Sequence, residues 1–513
     1  MRDCGILLPI SALPGAYGIG TFGKEAYDFV DWLVKAGQSA WQILPLGPTG
    51  FGDSPYQAFS TFAGNPYFID PATLMEEGWL AEKDLAACDF GKSKTKIDYG
   101  KLYVERFPLL KKAAENFVKN AAAEDRAAFR KFSEDNADWL PDYALYMAIK
   151  SDRGGASWDV WPEELRLRKE EALAAERTRL EREIFFYSFL QFEFDKQWKA
   201  LKEYANEAGI RIIGDLPIYV SFDSADAWGS PELFQFDEDH RPIGVAGCPP
   251  DAFSETGQLW GNPLYNWKYH ADTGYKWWLA RLKKAFEWYD TLRIDHFRGF
   301  DEYWFIPAGD ETAAGGHWEK GPGDWLFDTV KFVLGKDVDI IAEDLGVMTP
   351  TVEALVERTG YPGMKVLQFA FDGLSDSAYQ PHNHIRNCIV YTGTHDNDTT
   401  LSWYRTASKE VKEYAKKYLG IEGCSEEEFV WAFIRTAYMS VAEHTVIPMQ
   451  DVLVLGNEAR MNFPSTTGTN WQWRMTEKQM TKKLAAKLCD MSKLYVRYIE
   501  KPEKAEEEAV KAE

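Results

Sequence analysis

The chain has 513 residues, 45% of them hydrophobic and 27% charged, enough for a large buried core with insertions or for two or three domains. Lys and Arg total 58 against 80 Asp and Glu, a formal net charge of −22, which excludes nucleic acid and anionic membrane as partners, since both reward positive surface. The 6 cysteines are scattered without a CxxC pair, no apolar run reaches membrane-spanning length and no leader-like segment opens the chain, so it reads as a reduced, cytoplasmic protein.

Cys4 to Pro9 predicts a first core strand. Ala26, Phe29, Val30, Leu33 and Val34 share one helical face, which Gly37 closes, and Trp41 to Leu46 predicts a second strand. Strand, helix, strand is a βαβ unit and implies a parallel sheet. A Gly-, Ser-, Pro- and aromatic-rich loop from Pro48 to Pro66 follows and holds Asp53-Ser54-Pro55-Tyr56-Gln57. The texture then turns to Ala, Glu, Lys and Arg in helical runs, among them Pro108 to Lys119 and a long run over Glu163 to Leu201. Residues 71–182 are expected to form a helical insertion between the first part of a catalytic barrel (1–70) and its remainder (183–499). Arg211 to Pro217 resumes the strand pattern. Residues 219–274 read as a long irregular loop, a length that inside a compact domain marks function. Further strands are expected at Leu292 to Asp295, Val338 to Asp344, Lys365 to Phe369, Ile389 to Asp396 and Val446 to Asp451. Helices lie between them, one of them capped by Thr349-Pro350. Residues 500–513 read as a charged flexible tail. Strands alternating with helices predict an α/β fold, a (β/α)8 TIM barrel with a helical insertion after the second strand and long inserted loops over its C-terminal face. The rival is an open doubly wound sheet.

In such a barrel the site lies at the C-terminal ends of the strands. The polar residues there are Asp215, Arg293, Asp295, Glu343, His395 and Asp396. Carboxylates converging from several strands either bind a metal or act on glycosidic bonds. A hard-metal site needs further oxygen ligands, whereas the companions here, Arg293 and His395, compete with a cation. Glycosyl chemistry needs one ionised carboxylate beside one protonated acid. Arg293 precedes Asp295 by two strand positions, so the two side chains point the same way, and the guanidinium is expected to lower the pKa of Asp295 and keep it charged. Glu343 ends the apolar run Ile340-Ile341-Ala342, where burial is expected to raise its pKa and hold a proton. Asp344, one position on, is expected to face the opposite way and serve structure. Asp396 is placed to bond sugar hydroxyls and steady a cationic transition state. Tyr56 and Trp260 fit sugar stacking but also ordinary packing; Trp471 and Trp473 fit the core better.

The motifs Arg293-Ile294-Asp295-His296-Phe297-Arg298-Gly299, Ala342-Glu343-Asp344-Leu345-Gly346 and Thr394-His395-Asp396-Asn397-Asp398-Thr399 resemble those of the 4-α-glucanotransferases, also called amylomaltases or disproportionating enzymes, in the α-amylase clan. The Tyr56 loop and Pro249-Pro250-Asp251 are similar as well. The resemblance runs from about Gly5 to Arg474, and Cys248 departs from it where an aliphatic side chain is expected. It implies a retaining double displacement with Asp295 as nucleophile, Glu343 as acid/base and Asp396 as transition-state stabiliser. Donor-sugar contacts are implied for Tyr56, Asp215, Arg293 and His395, and acceptor-side contacts for Asp251 and Trp260. The implied partners are α-1,4-glucans and maltooligosaccharides, with glucose as an acceptor. No cofactor or metal is expected, calcium included, because Asp215-Leu216-Pro217-Ile218 lacks the Asn-His of calcium-dependent amylases. A monomer or homodimer is expected. An α-glucan hydrolase and a non-catalytic glucan-binding protein are the alternatives.

Overall fold

The computed structural model describes residues 2–250, 254–336, 338–346, 348–371 and 377–500. Eight strands form one parallel sheet: β1 Gly5–Leu7, β2 Ala40–Gln42, β3 Arg211–Leu216, β4 Thr291–Ile294, β5 Ile340–Ala342, β6 Gly363–Val366, β7 Cys388–Tyr391 and β8 His444–Pro448. Their order in the sheet is β6-β7-β8-β1-β2-β3-β4-β5. The Ala342 amide donates to the Pro362 carbonyl at 3.0 Å, which joins β5 to the start of β6 and closes the barrel. The expected strands are all present, though most stop earlier than their apolar runs suggest. Glu343, Asp344, His395 and Asp396 lie past the strand ends, and Leu367–Phe371 is a 3-10 turn rather than strand.

The two faces of each strand follow the period-two rule. Leu7, Ala40, Ile213, Ile341, Met364, Ile389, Tyr391 and Val446 fill the barrel interior. Ile212, Leu292, Ile294, Ile340 and Ala342 pack outward into the helical layer. On β4 the inward position is Arg293, paired in register with Asp215 on β3 and Ile341 on β5.

Helix Lys24–Lys35 crosses from β1 to β2 and ends before Gly37, which takes φ +65°. Thr349 caps helix Pro350–Thr359, its side chain accepting from the Val352 amide. Between β2 and β3 a run of helices extends from Pro71–Glu76 to the 27-residue helix Glu181–Glu207, which leads into β3. The stretch Glu163 to Leu201 is not one helix. It breaks into Glu163–Arg166, Glu170–Arg179 and Glu181–Glu207, with Arg168 left-handed at φ +54°.

The expected irregular loop 219–274 needs a correction. It contributes strands Gly244–Cys248 and Gln258–Pro263 to an antiparallel sheet completed by Glu302–Pro307 and His317–Lys320, which follow β4. This second sheet joins the loops after β3 and β4. Among the described residues no helix is long and apolar enough to cross a membrane, and the cysteines form no disulfide.

Opposite the mouth, Arg497 ties the floor together. Its buried guanidinium donates to the carbonyls of Asp3, Tyr438, Ser440, Ala442 and Glu443 at 2.8–3.2 Å, linking the segment after helix Lys482–Leu494 to the entries of β1 and β8. Arg497→Ala strands those acceptors and is expected to lower unfolding stability by about 3 kcal/mol or more. Denaturant unfolding checks it; an unchanged midpoint would show that the floor holds without the guanidinium.

Candidate active site

The site begins with the register of β3 and β4. Asp215 and Arg293 are opposed in the ladder and both point inward, so the guanidinium Nη1 reaches both Asp215 oxygens at 2.7 Å. Gly214, beside Asp215, lets the next layer approach closely: a Cβ there would lie 2.1 Å from the Tyr289 ring. Arg293 Nη2 donates to Asp295 Oδ1 at 2.9 Å. Burial disfavours the Arg293 cation, yet Asp215 and then Asp295 outweigh it and hold the guanidinium charged.

Tyr56 extends this chain of contacts. Its hydroxyl donates to Asp215 Oδ2 at 2.7 Å and meets His395 Nε2 at 2.9 Å, with the two rings stacked 5.2 Å apart. His395 Nε2 lies 3.2 Å from Asp396 Oδ2. Burial opposes charge on both partners, but their mutual attraction wins: His395 moves up and Asp396 falls below the usual carboxylate range. A continuous polar path therefore runs from Asp396 through His395, Tyr56, Asp215 and Arg293 to Asp295.

Glu343 enters from β5. Ile341 points into the barrel, so Glu343, two positions on, does too. Its Oε2 accepts from the His296 amide at 2.7 Å and its Oε1 from the Leu345 amide at 2.8 Å. Asp344 turns away, accepting from the Met364 amide at 2.6 Å and lying 3.9 Å from Lys365 Nζ. Burial pushes Glu343 up to about 7, and the charge of Asp295 pushes the same way. Asp295 runs against expectation: burial raises it to about 6, and Arg293 offsets only part of that rise. The two acids titrate as a pair, and Arg293 biases the negative charge toward Asp295.

Two residues that the sequence reading left aside join the site. After β8, Asn462 Nδ2 donates to Asp396 Oδ1 at 2.7 Å, and Arg460 Nη2 donates to the Asp396 carbonyl at 2.9 Å. In sequence the stretch Gly456 to Pro464 reads only as a connection after the last strand; its position on the rim of that strand is the one signal available. Asn462→Ala removes a hydrogen bond to a charged group worth about 1.5–3 kcal/mol, so kcat/KM is expected to fall about 10- to 100-fold. Initial rates and a melting curve check it; a fall in melting temperature without a fall in rate would contradict the placement. Trp260 stands on the Gln258–Pro263 strand with its ring edge-on to His296 at 4.9 Å. Trp471 is buried behind Tyr56 and His395, 5.8 and 6.0 Å away. Asp251 lies outside the described residues. Among the described residues no group of three or more His, Cys, Asp or Glu is arranged to hold a metal ion.

Fold and site together define a class: (β/α)8 enzymes that work with paired carboxylic acids at the barrel mouth. Comparison with known proteins narrows it. The profile of a family described as 4-alpha-glucanotransferase matches residues 8–481. A 4-alpha-glucanotransferase of Clostridium butyricum is 49% identical over 95% of this chain and 99% of its own. One of Thermus thermophilus is 50% identical over 96% of this chain and 98% of its own. The solved structure of an amylomaltase from Streptococcus agalactiae in complex with acarbose is 44% identical, with a TM-score of 0.94, covering 97% of this chain and 100% of that one. The chain belongs to the 4-alpha-glucanotransferase family.

Proposed function

We infer that this protein is a 4-α-glucanotransferase: it moves a segment of a 1,4-α-D-glucan to the 4-OH of an acceptor glucan or glucose by a retaining double displacement. The observation that carries the reading is the Asp295/Glu343 pair on adjacent strand ends, with Arg293 only 2.9 Å from Asp295. Family membership supports the activity, and the acarbose complex of the Streptococcus agalactiae relative supports an oligosaccharide ligand.

In the first step Asp295 attacks the anomeric carbon, while Glu343 gives its proton to the departing glycosidic oxygen. The bond to the leaving glucan breaks and an ester to Asp295 forms. In the second, Glu343, now a carboxylate, takes the proton of the acceptor 4-OH; that oxygen attacks the anomeric carbon and Asp295 leaves. Two inversions return the α configuration. Asp396, held ionised by His395 and Asn462, faces the charge that grows at the anomeric centre. Tyr56, Asp215, Arg293 and His395 take the donor sugar; Trp260 and Asp251 belong to the acceptor side. The antiparallel sheet that carries Trp260 supports transfer over hydrolysis by shielding the intermediate from water.

Maltotriose followed over time tests the reading. A ladder of longer and shorter maltooligosaccharides with little net hydrolysis is expected, and glucose and maltose alone would make the protein a hydrolase.

A further inference from the structure

His296 sits between the two reacting carboxylates and the acceptor-side sheet, and the mechanism above leaves it without a role. It follows Asp295 directly and takes a left-handed backbone, φ +51° and ψ +49°. For a residue other than glycine that conformation costs about 1–2 kcal/mol. What it achieves is visible in the contacts. The turn aims the His296 amide at Glu343 Oε2, 2.7 Å away. It also sends the imidazole to the other side, edge-on to Trp260 at 4.9 Å with an interplanar angle of 89°. The ring packs over Gly299, where an added Cβ would meet His296 Cδ2 at 3.3 Å. Burial, then the charge of Arg298, hold the imidazole neutral with its pKa down at about 3, so it does not titrate in the working range.

We propose that His296 is a positioning residue that couples the acid/base to the cover of the acceptor side: its main chain aims Glu343 and its ring seats Trp260. The proposal rests on Glu343 as acid/base and adds a division of labour within one residue. The amide bond favours the ionised carboxylate and so keeps the Glu343 pKa from rising further. The groups facing Glu343 are Asp295 and Arg293 from β4, Tyr379 from the segment after β6, and the amides of His296 and Leu345. The ring contact holds Trp260 where a sugar acceptor enters, which bears on whether sugar or water reaches the intermediate.

Two substitutions separate the functions. Asparagine tolerates the left-handed region, whereas a β-branched residue there is a genuine outlier. His296→Asn keeps the amide and loses the ring. The basic limb of its kcat/KM profile is expected to stay where the native one lies, while the hydrolysed share of maltotriose turnover rises several-fold. His296→Val disturbs the backbone, and loss of the amide bond is expected to move the basic limb up by about one pH unit. Native hydrolysis share in the Asn variant would overturn the ring's role whether or not the Val variant folds. A folded Val variant with the native basic limb would overturn the amide's role. Glu343→Gln in the native background is the control: if it still turns over maltotriose normally, the acid/base reading itself fails and the coupling falls with it, an outcome distinct from a failure seen only in the His296 variants.

Discussion

Replacing Asp295 with asparagine is expected to cut transfer at least about 10,000-fold, a barrier increase of about 5 kcal/mol, while maltooligosaccharides still bind. The amide has the carboxylate's shape but is a poor nucleophile, so the ester to the enzyme does not form. Binding survives because Arg293 keeps its grip on both Asp215 oxygens, and Tyr56 and His395 stay linked to the same network. A second readout separates a lost reaction from a damaged fold. The Asp295 pKa is raised to about 6, chiefly by burial. Between its unfolded value near 4 and that folded value, unfolding releases a proton, so this residue's contribution to stability falls as pH rises through the window. The Asn variant lacks that dependence and is expected to be at least as stable as the native protein at pH 7. Single-turnover rates, calorimetric binding of maltotetraose and melting curves at two pH values test it together. Normal turnover in the variant would remove Asp295 from the mechanism, and a destabilised variant that no longer binds would leave the lost rate to misfolding.

The barrel was legible because its strands are short and largely apolar on both faces, and several of them run into a charged residue. Arg211 to Asp215 and Leu292 to Asp295 show this, and the buried inward and outward faces explain it. Which residues meet was also legible where period two alone decides it: Arg293 and Asp295, two positions apart, face the same way and meet at 2.9 Å, whereas the Asp215–Arg293 pair needed the register of β3 and β4. The antiparallel sheet was not. Its strands carry Gly244, Gly247 and Gly261, are only half buried, and pair across long separations, Gly244 with Pro307. No local alternation marks such a sheet, because its pairing is set by the barrel that brings the loops together. The Asp295 pKa shows the same limit in another form. Arg293, two positions away, was visible in sequence, but the burial that outweighs it arises only when the strand ends and loops assemble around the mouth. The Asp396 contact with Asn462 spans 66 positions and depends on β7 and β8 lying side by side.

Glu343→Gln is expected to slow maltotriose disproportionation by about 1,000-fold or more, the loss of proton transfer in both half-reactions. In the native protein, activity should fall as pH climbs through the Glu343 value of about 7, when the departing oxygen has no proton to take. It should also fall as pH drops through about 6, when Asp295 becomes protonated and cannot attack. The two values are close because the acids interact, so the profile is a narrow bell whose limbs belong to the pair. Gln at 343 cannot titrate, and the basic limb should vanish while the acid limb remains. Chemistry that bypasses the missing proton gives the decisive comparison. α-Maltosyl fluoride carries a leaving group that needs no general acid, so Asp295 still forms its ester. Azide, already an anion, then attacks the anomeric carbon without a base and displaces Asp295. The Gln variant is therefore expected to convert the fluoride and azide to α-maltosyl azide, whereas Asp295→Asn cannot follow that route to the α product. A Gln variant that keeps the native basic limb, or that azide fails to rescue with the fluoride donor, would show that the proton comes from somewhere else.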